Sequence, residues 1–219
     1  MENRIELLRK ERKDIIDSFS SKEIKNTYID NALNDVQELQ YVIVKDIVEE
    51  TSDTKSFILV PDKTKGTLEL MPFNAGQYVS LKMFVDDAYV TRAYSLSSSP
   101  KEALKGIYRI TIKRVLDGLV SNLMLDDIKV GDGLTISKPV GDFGYNKIRD
   151  EKNVIGVAGG CGITPFISLA KAINDGDEDS NLTVFYSVKT YDDIIFKKEI
   201  EQINKKSKKV KFVITLTRE

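Results

Sequence analysis

The spacing of apolar side chains changes twice along the chain, near residue 40 and again near residue 150. Ahead of the first change, Ile5, Leu8, Ile15 and Phe19 keep helical spacing with a break at Arg12, and Ile24, Tyr28, Ala32, Leu33 and Val36 repeat it. The pattern predicts two amphipathic helices, with Ser20 or Ser21 capping the second. Residues 1–40 carry 16 charged side chains and neither glycine nor proline, so they read as a charged helical arm. Two uses of such an arm stay open: a helical hairpin docked on its own domain, or an element that docks a partner or a second copy.

From Tyr41 the period shortens. Tyr41–Val48, Lys55–Val60, Gln77–Phe84, Tyr89–Leu96, Ile107–Val115 and Leu134–Lys138 are β-rich segments separated by Gly, Pro and Asp turns. Six strands over 41–150 predict an antiparallel β-barrel, a closed form without exposed edges. Leu119, Val120, Leu123 and Met124 cluster within Gly118–Asp126, which predicts one short helix between the last two strands. Over 151–219 strands alternate with helices: Val154–Ala158, helix Thr164–Asn174, Leu182–Val188, helix Asp192–Asn204 and Val210–Leu216. Alternation of this kind means βαβ units and a parallel sheet. The expected architecture is therefore a β-barrel plus a partial α/β domain. Three strands are thin for a doubly wound domain, so the chain is expected to be a fragment or an incomplete gene product.

Composition removes whole classes of chemistry. The chain has 219 residues, no histidine and a single cysteine, Cys161. That excludes Ser–His and Cys–His catalysis, His-ligated metal, an intrachain disulfide and a complete iron–sulfur site of its own. With 33 basic and 34 acidic side chains, nothing in the net charge points to nucleic acid. No apolar run approaches the roughly 20 residues of a membrane span, and the N-terminus has no apolar signal core, so a cytoplasmic location is expected.

Three stretches can carry chemistry. In Arg92-Ala93-Tyr94-Ser95-Leu96-Ser97-Ser98-Ser99-Pro100, alternation puts Arg92, Tyr94 and Leu96 on one face and Ala93, Ser95 and Ser97 on the other. A planar guanidinium, a flat ring and a small hydroxyl suit a heterocycle with a phosphate tail. Alone, the stretch reads more simply as a barrel exterior followed by a Ser-rich turn. Gly118-Leu119-Val120-Ser121 opens the short helix, whose free N–H groups favour an anion, although an ordinary helix start has the same pattern. Gly156-Val157-Ala158-Gly159-Gly160-Cys161-Gly162-Ile163-Thr164-Pro165 is a strand, a glycine turn and a helix start, with Thr164 as cap and Pro165 at the first helical position. This geometry accepts a pyrophosphate, yet the G-x-G-x-x-G spacing and the P-loop lysine are both missing. Cys161 reads as a small residue packed in the turn, since no base stands near it in sequence.

Taken in order, Arg-x-Tyr-Ser, Gly-x-x-Ser and Gly-Gly-x-Gly-x-Thr-Pro resemble the ferredoxin–NADP reductase superfamily. Val130-Gly131-Asp132 and Lys138-Pro139-Val140-Gly141-Asp142-Phe143 resemble the end of its flavin barrel. The resemblance covers 41–219 and leaves the arm outside. It implies FAD, with FMN ranked behind it, and NAD(P)H as the electron donor or acceptor. Arg92 would hold flavin phosphate, Tyr94 would pack on the ring system and Ser95 would sit near flavin N5. Lys113, Gly118, Leu119, Val120 and Ser121 would meet the ribityl–pyrophosphate part, while Gly159, Gly160, Gly162 and Thr164 would line the dinucleotide site. Ser95 and Thr164 are the residues the resemblance puts beside the reacting atoms. Hydride would pass from nicotinamide C4 to flavin N5, and a one-electron protein such as a ferredoxin or iron–sulfur protein or domain would be the partner. The alternative is a non-catalytic flavin-binding electron-transfer subunit. Lys189, Thr217 and Arg218 follow the second and third parallel strands and lean toward NADPH. The lysines at 205, 206, 208, 209 and 211 read as a solvated face, with a docking patch for an acidic carrier as the alternative.

Overall fold

In the computed structural model, residues 39–85 and 87–218 are described; the predicted helices of the arm lie outside them. The first strand, β1 (Leu39–Thr51), takes in the last two residues expected for the arm, and it is followed by β2 (Thr54–Pro61), β3 (Tyr78–Val85) and β4 (Ala88–Ser95). A one-turn helix α1 (Pro100–Ala103), β5 (Tyr108–Lys113), helix α2 (Leu119–Asp126) and β6 (Gly133–Ser137) complete the first half. The six strands form one antiparallel sheet in the order β4-β3-β6-β1-β2-β5. Inward positions such as Val42, Val44, Phe57, Leu59, Val79, Leu81, Ile110 and Ile136 are buried, and α2 adds Val120, Met124 and Leu125 to the same core.

The barrel is not closed, which corrects the expectation of a form without edges. Its edge strands meet at a single bridge, Leu96 to Ile110. The physical reason is the serine run. Ser97, Ser98 and Ser99 are buried, and they spend their hydroxyls on β5 and α1 in place of a ladder. Ser97 N donates to Arg109 O at 2.7 Å, Arg109 N donates to Ser98 Oγ at 3.1 Å, and Ser99 with Glu102 forms a capping box that starts α1.

The second half contains β7 (Asn153–Gly159), a 3-10 turn (Gly160–Ile163), α3 (Thr164–Asp175), β8 (Asn181–Val188), α4 (Lys197–Lys206) and β9 (Val210–Leu216). Its sheet is parallel, in the order β7-β8-β9. Gly176, at φ +84°, ends α3 by donating to the carbonyls of Ala172 and Ile173. The helix expected over Asp192–Asn204 is shorter. A 3-10 turn at Tyr191–Asp193 precedes an extended Ile194, and Phe196 at φ +58° stands just before α4. Ile194, Ile195 and Phe196 are all buried, which three consecutive positions of one helix face cannot achieve.

Both helices pack on one face of the parallel sheet, where Ile167, Ile173, Ile200 and Ile203 meet Leu182, Val184, Tyr186 and Val188. The register puts Val157, Phe185 and Val213 in one row of the opposite face, with Ile155 on the neighbouring row. Ile155 and Val157 are 71% and 77% exposed.

Candidate functional site

The register of β4 decides where the first stretch points. Arg92 lies opposite Leu81 and Tyr94 opposite Val79, and directly paired residues share a face. Leu81 and Val79 are core residues, so Arg92 and Tyr94 belong to the inward face at the open edge of the barrel and not to its exterior. Arg92 is exposed and donates from Nη1 to Thr91 O at 2.8 Å. Tyr94 is half-buried against the barrel core, and burial pushes its hydroxyl above the usual tyrosine value despite Arg92. Ser95, opposite Tyr78, is on the other face, as alternation requires.

The start of α2 is built by close approach. A Cβ on Gly118 would stand 2.4 Å from Ser121 Oγ and 2.9 Å from Val115 Cβ. Ser121 is buried and turned back into this turn: its hydroxyl donates to Gly118 O at 3.2 Å and accepts from Val115 N at 3.3 Å. No side chain caps the helix, so the first-turn N–H groups of Leu119 and Val120 remain available to an anion.

The glycine turn is tighter than a simple strand-to-helix turn. The chain enters a 3-10 turn at Gly160, at φ +50°, and Thr164 is the first residue of α3, with Ile163 at the cap position. Thr164 is therefore not the cap; its buried hydroxyl donates to Cys161 O at 2.7 Å and ties the turn together. A Cβ added at Gly159, Gly160 or Gly162 would meet nothing within 4 Å, so the space above the turn is open. Cys161 packs its thiol 3.6 Å from Thr111 O on β5, and burial pushes that thiol upward, as expected of a packed residue without a base.

Lys113 joins the two halves. It forms an ion pair with Asp53, Nζ to Oδ2 at 3.0 Å, and it lines a cavity of about 190 Å³ with Gly160, Ser187, Val188, Lys189, Asp193 and Thr217. Gly160, Ser187, Val188, Lys189 and Thr217 lie at the C-terminal ends of the parallel strands, the usual ligand edge of such sheets. Burial opposes ionisation of Asp53, yet Lys113 and the hydroxyls of Thr51 and Thr54 hold its carboxyl below the ordinary value. Asp53 was not visible as a site residue in the sequence; the turn Thr51-Ser52-Asp53-Thr54 between two strands was its only signal, whereas Asp192 and Asp193 stand soon after the second parallel strand. The lysine patch sits elsewhere. Lys208, Lys209 and Lys211 gather with Asn181 and Leu182 at the N-terminal ends of β8 and β9, about 23 Å from the cleft at the rise of an extended strand. Lys209 is paired with Asp179 at 2.8 Å.

The donors fit the two ligands expected. An exposed guanidinium, a half-buried ring and an uncapped helix start suit a flavin with its phosphates, and an open glycine turn suits a second pyrophosphate. Residues 41–145 match the oxidoreductase FAD-binding domain and residues 157–219 the oxidoreductase NAD-binding domain. The chain belongs to the oxidoreductases built from this FAD-binding domain followed by this NAD-binding domain. It is 35% identical over 157 residues to the glycine betaine monooxygenase reductase subunit of Chromohalobacter salexigens, covering 72% of this chain and 41% of that protein. The flavohem-like FAD/NAD-binding domain of nitric oxide dioxygenase from Vibrio cholerae superimposes with a TM-score of 0.72 at 24% identity, over 82% of this chain and 75% of that one. Phthalate dioxygenase reductase, whose structure is described as modular for electron transfer from pyridine nucleotides to [2Fe-2S], gives 0.68 at 24%, over 82% and 52%. The chain spans about two fifths of the length of the curated relatives it matches.

Proposed function

We propose that this chain is the flavin- and nicotinamide-binding part of a reductase that takes electrons from NAD(P)H and passes them to a one-electron protein acceptor. One observation carries the reading. Lys113 on the barrel strand β5 lines one cavity with Gly160 of the glycine turn, and Cys161 Sγ lies 3.6 Å from Thr111 O of the same strand, so the two candidate ligand sites converge. A flavin bound there supplies two-electron chemistry toward nicotinamide and one-electron chemistry toward a protein partner.

The chain's own groups bind and orient. Arg92 holds a flavin phosphate by charge-assisted hydrogen bonds, and the N–H groups of Leu119 and Val120 add the dipole of α2. Tyr94 offers its ring face, and Ser95, at the end of the same strand, offers a small hydroxyl. Gly159, Gly160 and Gly162 let a second pyrophosphate approach the backbone, while Thr164 keeps that turn in shape. Lys113 places positive charge between the two halves. With no histidine in the chain, positioning of the two cofactors replaces acid–base catalysis by protein side chains.

NADPH is the preferred nucleotide in this proposal. Asp193 accepts from both N and Oγ1 of Thr190, at 2.9 and 2.8 Å, which commits it to the turn. Lys189, Thr217 and Arg218 remain beside it, with Arg218 N donating to Lys189 O at 2.9 Å. The acceptor is proposed as an iron–sulfur protein or domain and the location as cytoplasmic; among the described residues no helix is long and apolar enough to cross a membrane. The lysine patch plays no part, because it faces the opposite end of the sheet. Incubation with FAD followed by desalting should leave a protein with visible flavin absorption, and a colourless protein would refute the proposal. Reduction of an artificial dye with NAD(P)H separates the enzyme from the non-catalytic subunit, which would retain flavin without turnover.

A further inference from the structure

No strand pairs across the junction of the two halves; the described residues form two separate sheets. The angle between the halves is therefore set by side chains. On one side the contact is apolar, an edge-on pair of Phe143 and Phe166 with ring centres 5.4 Å apart. On the other it is ionic. Arg109 on β5 donates from Nη2 to Glu199 Oε2 on α4 at 2.9 Å, and Lys171 on α3 donates to Glu199 Oε1 at 2.9 Å and to Glu102 Oε2 on α1 at 3.0 Å. Ser168, one turn earlier on α3, donates to Ser98 O at 2.7 Å.

Each member is held from behind. Arg109 donates from Nε to Ser97 Oγ at 3.0 Å and from Nη2 to Ser97 O at 2.9 Å, and its guanidinium lies 4.6 Å from the Phe196 ring centre. Glu102 Oε2 also accepts from Ser99 N at 2.7 Å. Arg109 and Lys171 are only 15% and 17% exposed in their side chains, so much of their hydration is gone. Ion pairs in such places add little net stability, and their best-attested use is to specify one arrangement among several. The arrangement specified here matters. Lys171 lies two turns along the helix that Thr164 begins, about 10 Å from the glycine turn. β5 carries Arg109 at one end and Lys113 at the other, with Thr111 O against Cys161 between them.

We propose that Arg109 and Lys171, which meet on the two oxygens of Glu199 and cross the junction through the Arg109–Glu199 and Lys171–Glu102 pairs, are positioning residues that set the angle between the glycine turn and the flavin face. The consequence for catalysis rests on the reductase reading; the latch itself does not. Lys171→Met leaves Glu102 and Glu199 facing one another without the cation between them, so the halves should swing apart. A misplacement of about 1 Å between reacting groups costs about 100-fold in rate.

Two measurements on the full chain decide it. Residual dipolar couplings of backbone amides should fit one alignment tensor for both halves in the wild type. Lys171→Met and Glu199→Gln should each require two tensors, and Lys171→Arg should restore one. An unchanged single orientation in both variants overturns the latch. With flavin bound, anaerobic mixing with NADPH should give a limiting rate of flavin reduction about 10- to 100-fold lower in Lys171→Met, with nucleotide affinity within about threefold and rescue by Lys171→Arg. A full rate despite a changed angle overturns the positioning role. A wild-type protein that retains no flavin, or is not reduced by nucleotide, overturns the reductase reading and the positioning role together, while the couplings still decide the latch.

Discussion

Lys113 Nζ stands 3.0 Å from Asp53 Oδ2, next to the cleft that Gly160 and Thr217 line. Asp53 is held below its ordinary pKa, so the pair stabilises the fold above the unfolded-state value, and the contribution drains away as pH falls through the folded value. Both side chains are about a third exposed, which limits that contribution to about 1 kcal/mol or less. Lys113→Met is expected to move Asp53 upward in a carboxyl-carbon NMR titration and to lower the melting temperature at neutral pH by no more than about 4 °C. Identical Asp53 titrations in the two proteins would show that the pair does not form in solution.

Arg92→Ala should weaken FAD binding by about 10- to 150-fold, because a charge-assisted phosphate contact is worth about 1.5–3 kcal/mol. The fold should be indifferent, since this exposed arginine makes a single hydrogen bond to Thr91 O. Flavin fluorescence titration and thermal melting separate the two effects. Equal FAD affinity in the variant removes Arg92 from the site.

Lys189 and Arg218 lie side by side at the ends of β8 and β9, joined by a backbone hydrogen bond. Replacing Lys189 with Glu puts a negative charge where a 2′-phosphate is proposed to sit. The ratio of NADPH to NADH affinity should fall by about tenfold or more, the equivalent of one charge-assisted contact. Competition binding of the two nucleotides reads it directly, and an unchanged ratio places the adenosine end elsewhere.

The uncovered face of the parallel sheet has a surface consequence. Val157 and Ile155 are more than two-thirds exposed, and Phe185, in register with Val157, is 45% exposed. Parallel sheets normally cover both faces, and patches of this kind favour association. Val157→Thr should reduce binding of a hydrophobic dye and raise the concentration at which the protein aggregates, with little change in melting temperature. Equal dye binding in the variant would show that the face is already covered in solution.

Much of this molecule could be read from local pattern. Alternating apolar residues marked β1 to β6, the glycine run before Pro165 marked the turn into α3, and the order of three short motifs marked the family. These signals are local because backbone geometry repeats every two or every 3.6 residues and each turn selects its own residues. The serine run after Leu96 was visible only as a turn, although Ser99 and Glu102 have the spacing of a capping box. The break before α4 was hidden because Ile194, Ile195 and Phe196 suit a helix by composition and reveal themselves only by being buried together.

The uncovered side of the sheet shows the limit of pattern. Both helices keep their apolar faces against the sheet, β9 is an edge strand of it, and Ile155 and Val157 lie open. Period-two alternation assigns two faces to a strand without saying which one a helix will cover. The open barrel edge, the inward register of Arg92 and Tyr94, and the grip of Arg109 on Glu199, 90 positions away in sequence, were likewise decided by tertiary structure. Sequence by itself determined which elements form and which chemical groups each carries, because those follow from neighbours along the chain. Which groups meet was decided when the two sheets packed, because an ion pair or a shared cavity depends on distance in space, and no local period encodes it.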